Sequence, residues 1–257
     1  MNYFYRFLII VFILMPVCVL AQSTLQIDSR KVVAGETLKY KATWGFLTIG
    51  SASTKIDRVL YKVGSTVCYK IEIEGRTNGL AKLFYVRDKW TSYIDTALVT
   101  THKSARTIRE GPYELDEEVY FDQNNKKALV KVYDKKSKSF VLRKIYDTPT
   151  NIRDVVAAFL VFRLLDMSKY TKGQIFTING FYENEGYQIK IIFQGKEYIK
   201  TDFGKILCYK VQPIVPKNKV FDGSDALTVW LSASKSQSIM RVRAKMFVAK
   251  VQLDLKK

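Results

Sequence analysis

The feature that most constrains the fold is an alternation of apolar and polar residues that recurs along most of the chain. In Thr66–Glu74, the odd-numbered residues from Val67 to Ile73 are apolar and the even-numbered residues are charged or small. A period of two is that of a half-buried β-strand. Further segments of this kind, separated by turn signals such as Asn-Gly and Asp-Gly, are 38–44, 89–94, 118–121, 128–133, 140–146, 174–179, 187–193, 227–231 and 246–255. The sequence therefore predicts a mostly β, antiparallel protein.

Residues 150–168 depart from this alternation. Their apolar positions cover more than half of a helical circumference, which indicates a buried helix rather than one lying on the surface. Thr150 or Asn151 can cap its N-terminus, and Asp154 suits the positive end of the helix dipole. We expect this helix to be central and to pack inside or across the sheet.

The strands on the two sides of this helix resemble each other. Six identical residues recur at a constant offset of 140: Gly64/Gly204, Cys68/Cys208, Tyr69/Tyr209, Lys70/Lys210, Trp90/Trp230 and Ser92/Ser232. This pattern predicts two related β units, about 35–147 and 173–257, bridged by the helix within a single domain 22–257 and forming a curved sheet or open barrel. Chance similarity between β-rich segments is the alternative.

Residues 1–21 have the features of a secretory signal peptide. Arg6 is followed by an apolar stretch, and Val19 and Ala21 are small residues at the positions that a signal peptidase requires. We predict cleavage after Ala21 and an exported protein of the periplasm or cell envelope, or one released from the cell.

Two other readings of the N-terminus are less well supported. A membrane anchor needs about 20 consecutive apolar residues, and the run here ends sooner, at Pro16. A lipid-modified Cys18 would require a small residue before it, where Val17 stands. The predicted mature protein is therefore soluble rather than transmembrane.

The formal net charge of +18 is compatible with an anionic partner. Nucleic acid is a poor partner for an exported protein, whereas anionic lipid, lipopolysaccharide and acidic glycan fit the predicted compartment. The alternative is that dispersed lysines only solvate β surfaces, and the densest run, Lys135–Lys138, falls at a predicted hairpin turn.

Motifs for catalysis, metals and cofactors are missing from the sequence. There is one histidine, His102, and no nucleophile elbow, zinc-binding cysteine pair or phosphate-binding glycine loop. We therefore expect no enzyme activity and no cofactor. The remaining enzyme alternative is a glycan hydrolase or lyase that uses carboxylates such as Asp88, Glu110 and Asp116.

Four residues are candidates for ligand binding: Trp44, Trp90, Arg109 and Trp230. Aromatic rings beside arginine can bind sugars, lipid headgroups or peptides, although tryptophan in a β protein is more often part of the core. Export would permit a disulfide between Cys68 and Cys208, and two free thiols are the alternative that we favour.

Several strings, taken in their order and spacing, resemble the exported bacterial family called domain of unknown function 3108. They are GETLKY at 35–40, WGFLTIGSA at 44–52, TNGLAKLFYVRD at 77–88, REGPY at 109–113, FD at 121–122, RDVVAA at 153–158, FR at 162–163 and VWLS at 229–232. The chain departs from the family at 233–235, where an acidic residue is expected. The resemblance implies an exported β-rich protein and no catalytic residues, with an organisation similar to that of envelope lipid and lipoprotein carriers.

These observations predict a non-enzymatic binding protein of the cell envelope, with an acyl chain in an apolar groove beside the helix and lysines at an anionic headgroup. A structural or protein-interaction module of the envelope is the alternative.

Overall fold

The structure is a computed structural model that describes residues 25–78, 85–214, 225–245 and 250–257. The predicted signal peptide, residues 1–21, lies outside the described residues. So does the first part of the strand predicted over 246–255.

The described strands form one 14-stranded antiparallel sheet. The first eight are β1 (Thr37–Trp44), β2 (Leu47–Val63), β3 (Thr66–Thr77), β4 (Arg87–Asp95), β5 (Thr101–Glu110), β6 (Tyr113–Asp122), β7 (Lys127–Asp134) and β8 (Ser139–Asp147). The last six are β9 (Ile175–Tyr182), β10 (Glu185–Thr201), β11 (Gly204–Ile214), β12 (Leu227–Ser232), β13 (Ile239–Lys245) and β14 (Lys250–Leu255). The prediction of a mostly β, antiparallel fold is confirmed.

The sheet consists of two meanders joined through the pairing of β1 with β14. Its strand order runs from β8 back to β1 and then from β14 back to β9. β1 and β9 both have eight residues, and β2 and β10 both have 17. These lengths agree with an internal duplication, which stays a prediction.

The pairing register does not support one of the predicted equivalences. Lys70 pairs with Tyr93, whereas Lys210 pairs with Trp230. If the two lysines are equivalent, Trp230 corresponds to Tyr93 and not to Trp90. The chain between the paired residues is 23 positions long from Lys70 to Tyr93 and 20 positions long from Lys210 to Trp230, and this difference of three displaces the two tryptophans from equivalent places.

The one α-helix among the described residues, α1, spans Val155–Leu164 and is followed by a 3₁₀ turn at Met167–Lys169. The predicted limits of 150–168 and the predicted cap at Thr150 or Asn151 were wrong. Asp154 is the N-cap, because its carboxylate accepts a hydrogen bond from the Ala157 N–H. The residues before it are extended, and the Arg153 N–H and C=O bond to Asn179 and Phe181 of β9.

The sheet curls around α1, which packs against β3 and β4 on one side and β9 on the other. Ring contacts close the gap between distant strands: Trp90 stacks on Tyr182, and Phe121 contacts Phe181 edge-on. The curl is not completed by strand pairing, so β8 and β9 are the edges of the sheet. The segment at Arg153 covers the edge of β9, as the hydrogen bonds above show.

The helix-facing side of the sheet is filled. Val156, Leu160 and Val161 of α1 are buried against Ile71, Ile94 and other apolar residues of the sheet. Arg163, the one charged side chain of α1, reaches Glu36 with two hydrogen bonds of 2.5 and 2.8 Å. The space left between α1 and the first strands is only about 40 Å³.

Candidate functional site

A cleft of about 810 Å³ lies on the first half of the sheet. This volume falls within the roughly 300–1,000 Å³ typical of ligand sites. Its lining comes from β1 to β6 and from the connections between them: Lys39, Tyr40, Ser51, Ala52, Ser53, Glu74, Gly75, Arg76, Tyr85, Arg87, Asp88, Lys89, Thr107, Arg109, Gly111 and Glu114.

Most of these residues lie on the face of the sheet that points away from α1. Residues directly opposite each other in paired strands share a face, and two rows follow from the register. In one, Ser51 is opposite Arg76, and Arg76 is opposite Arg87. The other is formed by Lys39, Ser53, Glu74, Lys89 and Thr107. Ser51 begins the first row, and Ser53 and Thr107 flank the Glu74–Lys89 pair in the second row, so small hydroxyl residues lie beside the long charged ones.

The cations of the cleft fall into two groups. Arg109 donates two hydrogen bonds of 2.8 and 3.0 Å to Asp116, which raise the pKa of Arg109. Lys89 lies 3.0 Å from Glu72 and 3.5 Å from Glu74, and the hydrogen bond to Glu72 raises its pKa. These two side chains already have carboxylate partners.

Lys39, Arg76 and Arg87 have no carboxylate within 4.0 Å in the described part of the chain. The Arg76 side chain donates a hydrogen bond to the Ser51 hydroxyl, at 3.3 Å. Arg76 and Arg87 also stand directly opposite each other across β3 and β4, and like charges in this position destabilise a sheet. The sequence thus keeps a costly arrangement on the wall of a ligand-sized cleft.

Gly50 allows the wall to have this shape. A Cβ at this position would lie 2.2 Å from the backbone oxygen of Arg76, so any other residue would push β2 and β3 apart. Gly75, one strand over, has open space where its Cβ would be. The requirement for glycine is therefore specific to Gly50.

Of the four predicted binding residues, only Arg109 lines the cleft. Trp44 ends β1 beside the tight turn to β2, and 48% of it is exposed. Trp90 is on the helix-facing side, where it stacks on Tyr182 with ring centroids 6.3 Å apart. The Arg106 guanidinium lies 5.5 Å from the Trp90 ring centroid.

Trp230 is in the second half of the sheet and is 3% exposed. Its ring lies between Lys210 and Arg243, whose charged groups are 5.5 and 5.0 Å from the ring centroid. Its indole N–H donates to the Glu197 carboxylate. All faces of this side chain are already occupied, so the structure does not bring the four candidates together.

Cys68 and Cys208 are both free and buried. Five strands separate β3 from β11 in the sheet order. Burial raises the pKa of each thiol to about 11. Neither cysteine is therefore a ready nucleophile at neutral pH.

Two of the acidic residues considered for catalysis lie close together. Asp88 lines the cleft and accepts a hydrogen bond from the Arg109 N–H. Partial burial of the Glu110 carboxyl raises the pKa of Glu110, and the charge of Asp88 raises it further. Asp116 is instead held by Arg109.

The residues that sequence analysis missed are Arg76 and Arg87. In the linear sequence each looks like an ordinary surface arginine. Strand β2, whose Ser51 is opposite Arg76, was not predicted as a strand. Arg76 and Arg87 are opposite each other because of the register of β3 and β4, and the length of the connection 78–86 does not predict that register.

The described residues include no helix that is long and apolar enough to cross a membrane. Within the same residues, no three His, Cys, Asp or Glu side chains are grouped as metal ligands would be.

Fold and site together define an open antiparallel sheet, curled around one helix, with a basic cleft on its outer face. The chain belongs to the family described as protein of unknown function, DUF3108, whose profile matches residues 39–256. The resemblance found in the sequence is thereby confirmed. No curated protein is significantly similar to the chain.

Among solved structures, the chain is similar to a beta-barrel-like protein of domain of unknown function DUF1849 from Brucella abortus. The TM-score is 0.51 at 12% identity, over 88% of this chain and 98% of that chain. This similarity shows the fold alone. A DUF1089 family protein from Pseudomonas aeruginosa matches 77% of this chain and 90% of its own, at 10% identity and a TM-score of 0.38, too low to support an argument.

Proposed function

We propose that the chain is a non-enzymatic binding protein of the cell envelope, whose ligand presents phosphate or carboxylate groups to the basic cleft. The observation that supports this most strongly is the trio Lys39, Arg76 and Arg87, whose charges lack carboxylate partners among the described residues of a cleft of about 810 Å³. Arginine is well suited to such ligands because its planar fork matches both groups.

The cleft is a better place for the ligand than the space beside the helix. A volume of about 40 Å³ between α1 and the sheet is far below that of a typical ligand pocket, roughly 300–1,000 Å³. An acyl chain buried there, as the sequence suggested, is therefore not part of the proposal. The charged group of a lipid, lipopolysaccharide or acidic glycan is the part that the cleft would bind.

Isothermal titration calorimetry near 0.15 M salt tests the proposal with two soluble probes, inositol hexakisphosphate and an oligogalacturonate, and with neutral maltotetraose as the negative probe. Hydrogen bonds to charged groups contribute roughly 1.5–3 kcal/mol each, and about 1.4 kcal/mol corresponds to tenfold in affinity. The double variant R76E/R87E should therefore bind at least about tenfold more weakly.

The matched control is K190E/K200E, which makes the same change in net charge at two exposed lysines of β10. This control should bind as the wild type does. An equal loss of affinity in both variants would mean that binding of the probes depends only on the net charge of the protein. The cleft would then not be the binding site.

A hydrolase or lyase is a second candidate because of Asp88 and Glu110. A carboxyl with a raised pKa beside a second carboxyl is a common arrangement for general acid catalysis. If this candidate is right, wild type will cleave an acidic glycan and both D88N and E110Q will abolish the cleavage. Binding without cleavage by all three proteins favours the binding function.

An interaction module is the third candidate, because strand β8 has one unpaired edge. Phe140, Val141, Leu142 and Ile145 of β8 are exposed, and Arg143 and Lys144 make it basic. An extended acidic segment of a partner could add to such an edge. Crosslinking in envelopes from a reactive group placed on β8 would identify that partner, and recovery of the uncrosslinked chain alone would count against it.

A further inference from the structure

The turn between β1 and β2 carries apolar side chains that are exposed among the described residues. Phe46 is 94% exposed, Leu47 50% and Trp44 48%. A single exposed apolar residue is ordinary, but three within four residues at one turn favour a surface that contacts something apolar.

The cleft opens beside this turn. Ser51 of the cleft wall follows Leu47 by four residues along β2, or about 13 Å at the rise of an antiparallel strand. On the other side of the cleft, Tyr113 begins β6 and is also exposed. Tyr85 lines the cleft itself, and its backbone carbonyl oxygen accepts a hydrogen bond at 2.8 Å from the Gly111 N–H. Aromatic residues therefore flank the unpaired cations.

These spacings match the layers of a phospholipid bilayer. Protein segments that lie in the interface bury their apolar face about 5–10 Å below the headgroups. Tryptophan and tyrosine prefer the headgroup level. If Phe46 enters the apolar layer, Arg76 and Arg87, which are in the row of Ser51, are within about one Debye length, about 8 Å, of the phosphate groups. Lys39 is opposite Ser53 and lies about 7 Å farther from the turn.

We infer that the Trp44–Leu47 turn and the basic cleft form one docking surface for a bilayer containing anionic phospholipid. This inference rests on the proposed function and specifies it, because the anionic group in the cleft is then a lipid headgroup in its membrane. Phe46 and Leu47 supply the apolar contact, and Arg76 and Arg87 supply the preference for negative charge, with Lys39 behind them.

Co-sedimentation of the purified protein with vesicles tests this inference. Vesicles of phosphatidylcholine alone are compared with vesicles containing 30 mol% phosphatidylglycerol. Wild type should bind the anionic vesicles, and F46D should bind them at least about tenfold less, given the usual contribution of a buried phenylalanine. Equal binding to the two kinds of vesicle would overturn the inference.

The matched control is F203D. Phe203 is also an exposed aromatic residue in a tight turn, at 43%, but the turn joins β10 to β11 at the opposite end of the strands. F203D should bind vesicles as wild type does. If F203D and F46D lose binding equally, the Trp44–Leu47 turn has no special role and the inference fails.

Tryptophan fluorescence gives an independent readout, because Trp44 is the most exposed of the three tryptophans. Anionic vesicles should shift the emission to shorter wavelength, and W44F should show no shift. A vesicle-independent, Phe46-dependent dimer in size-exclusion chromatography would instead assign the turn to self-association, which contradicts the inference.

Failure of the inference can be distinguished from failure of the proposed function. If the cleft binds anions but the turn does not dock, R76E/R87E will lose affinity for inositol hexakisphosphate while F46D keeps its vesicle binding. If the turn docks but the cleft is not an anion site, F46D will lose vesicle binding while R76E/R87E binds the soluble probe normally.

Discussion

The two faces of strands β1 to β5 differ in whether their arginines have carboxylate partners. On the helix-facing side, Arg163 is paired with Glu36 by two hydrogen bonds, and apolar residues fill the remaining space. On the outer side, Arg76 and Arg87 stand opposite each other in an open cleft with no carboxylate partner in the described chain. The helix-facing side thus keeps the buried Arg163 paired, whereas the outer side carries two arginines without a carboxylate partner beside the paired Arg109 and Lys89.

The difference separates what stabilises the fold from what is available for binding. A buried charge without a partner costs several kcal/mol, so the helix-facing side can keep Arg163 only with Glu36. An exposed charge can rely on water, so the outer face can keep unpaired cations at a small cost in stability. Substitutions on the two faces should therefore have opposite consequences for stability and for binding.

The largest effect is expected from Glu36→Ala. Removal of this carboxylate leaves the Arg163 guanidinium buried without a counter-charge, which should lower the free energy of unfolding by about 3–5 kcal/mol. Urea denaturation measures this loss. Asp147→Ala removes a partner from the exposed Lys127–Asp147 pair and should leave the free energy close to that of wild type. A comparable loss of unfolding free energy in both variants would contradict the claim that the buried Arg163 depends on its carboxylate partner more than an exposed cation does.

The next effect concerns Asp154, which is buried on the helix-facing side and caps α1. Burial raises the pKa of Asp154 to about 6, above that of the same residue in the unfolded chain. The folded protein therefore holds this proton more tightly. The stability that Asp154 contributes is present below about pH 4 and is lost as the pH rises through 6.

Asp154→Asn keeps a cap and removes the titration. Relative to this variant, wild type should lose up to about 3 kcal/mol of unfolding free energy between pH 4 and pH 7. Urea denaturation of both proteins at several pH values measures the difference. A difference that stays constant with pH would show that Asp154 does not titrate in this range.

Gly50→Ala should weaken the fold and the cleft together. The new Cβ would meet the Arg76 backbone oxygen at 2.2 Å, and overpacking of this kind costs roughly 1–3 kcal/mol. Because Arg76 moves with its strand, affinity for inositol hexakisphosphate should also fall. Gly75→Ala, which meets open space, is the control and should change neither quantity much.

The smallest effect on stability is expected from Arg87→Gln, which should stabilise the protein, unlike the other variants. Removal of one of two opposed like charges should raise the free energy of unfolding by about 0.2–0.5 kcal/mol. The same change should lower affinity for inositol hexakisphosphate about tenfold, since one charged hydrogen-bonding partner is lost. A variant that is both less stable and unaltered in binding would argue that Arg87 is structural.

Alternation of side chains was enough to predict the fold class and most strands, because burial of one face imposes a period of two. It did not reveal β2, and of β10 it predicted only residues 187–193, because bulges interrupt the alternation of these two 17-residue strands near Ile56 and Phe193. The helix was placed correctly but begins later than predicted, since the extended segment at Arg153 pairs with β9.

The candidate site was much less predictable than the fold. Arg109 was recognised from its position before a Gly-Pro turn, yet its partner Asp116 could not be assigned without the register of β5 and β6. Trp230 was predicted to bind a ligand because it is a tryptophan with polar neighbours. In the structure its ring instead contacts Lys210 and Arg243. Which charges pair and which stay unpaired depends on contacts across strands, and these are not encoded in any local pattern.

The proposed function depends on whether Arg76 and Arg87 bind the anionic group of the ligand. NMR observation of the arginine Nε–Hε resonances, assigned by single substitution, during titration with inositol hexakisphosphate near 0.15 M salt answers this question. We expect the Arg76 and Arg87 resonances to shift together and to saturate at one equivalent. Arg109, already held by Asp116, and Arg243, over Trp230, should move little. Shifts spread evenly over all exposed arginines, or confined to the second half of the sheet, would contradict the claim.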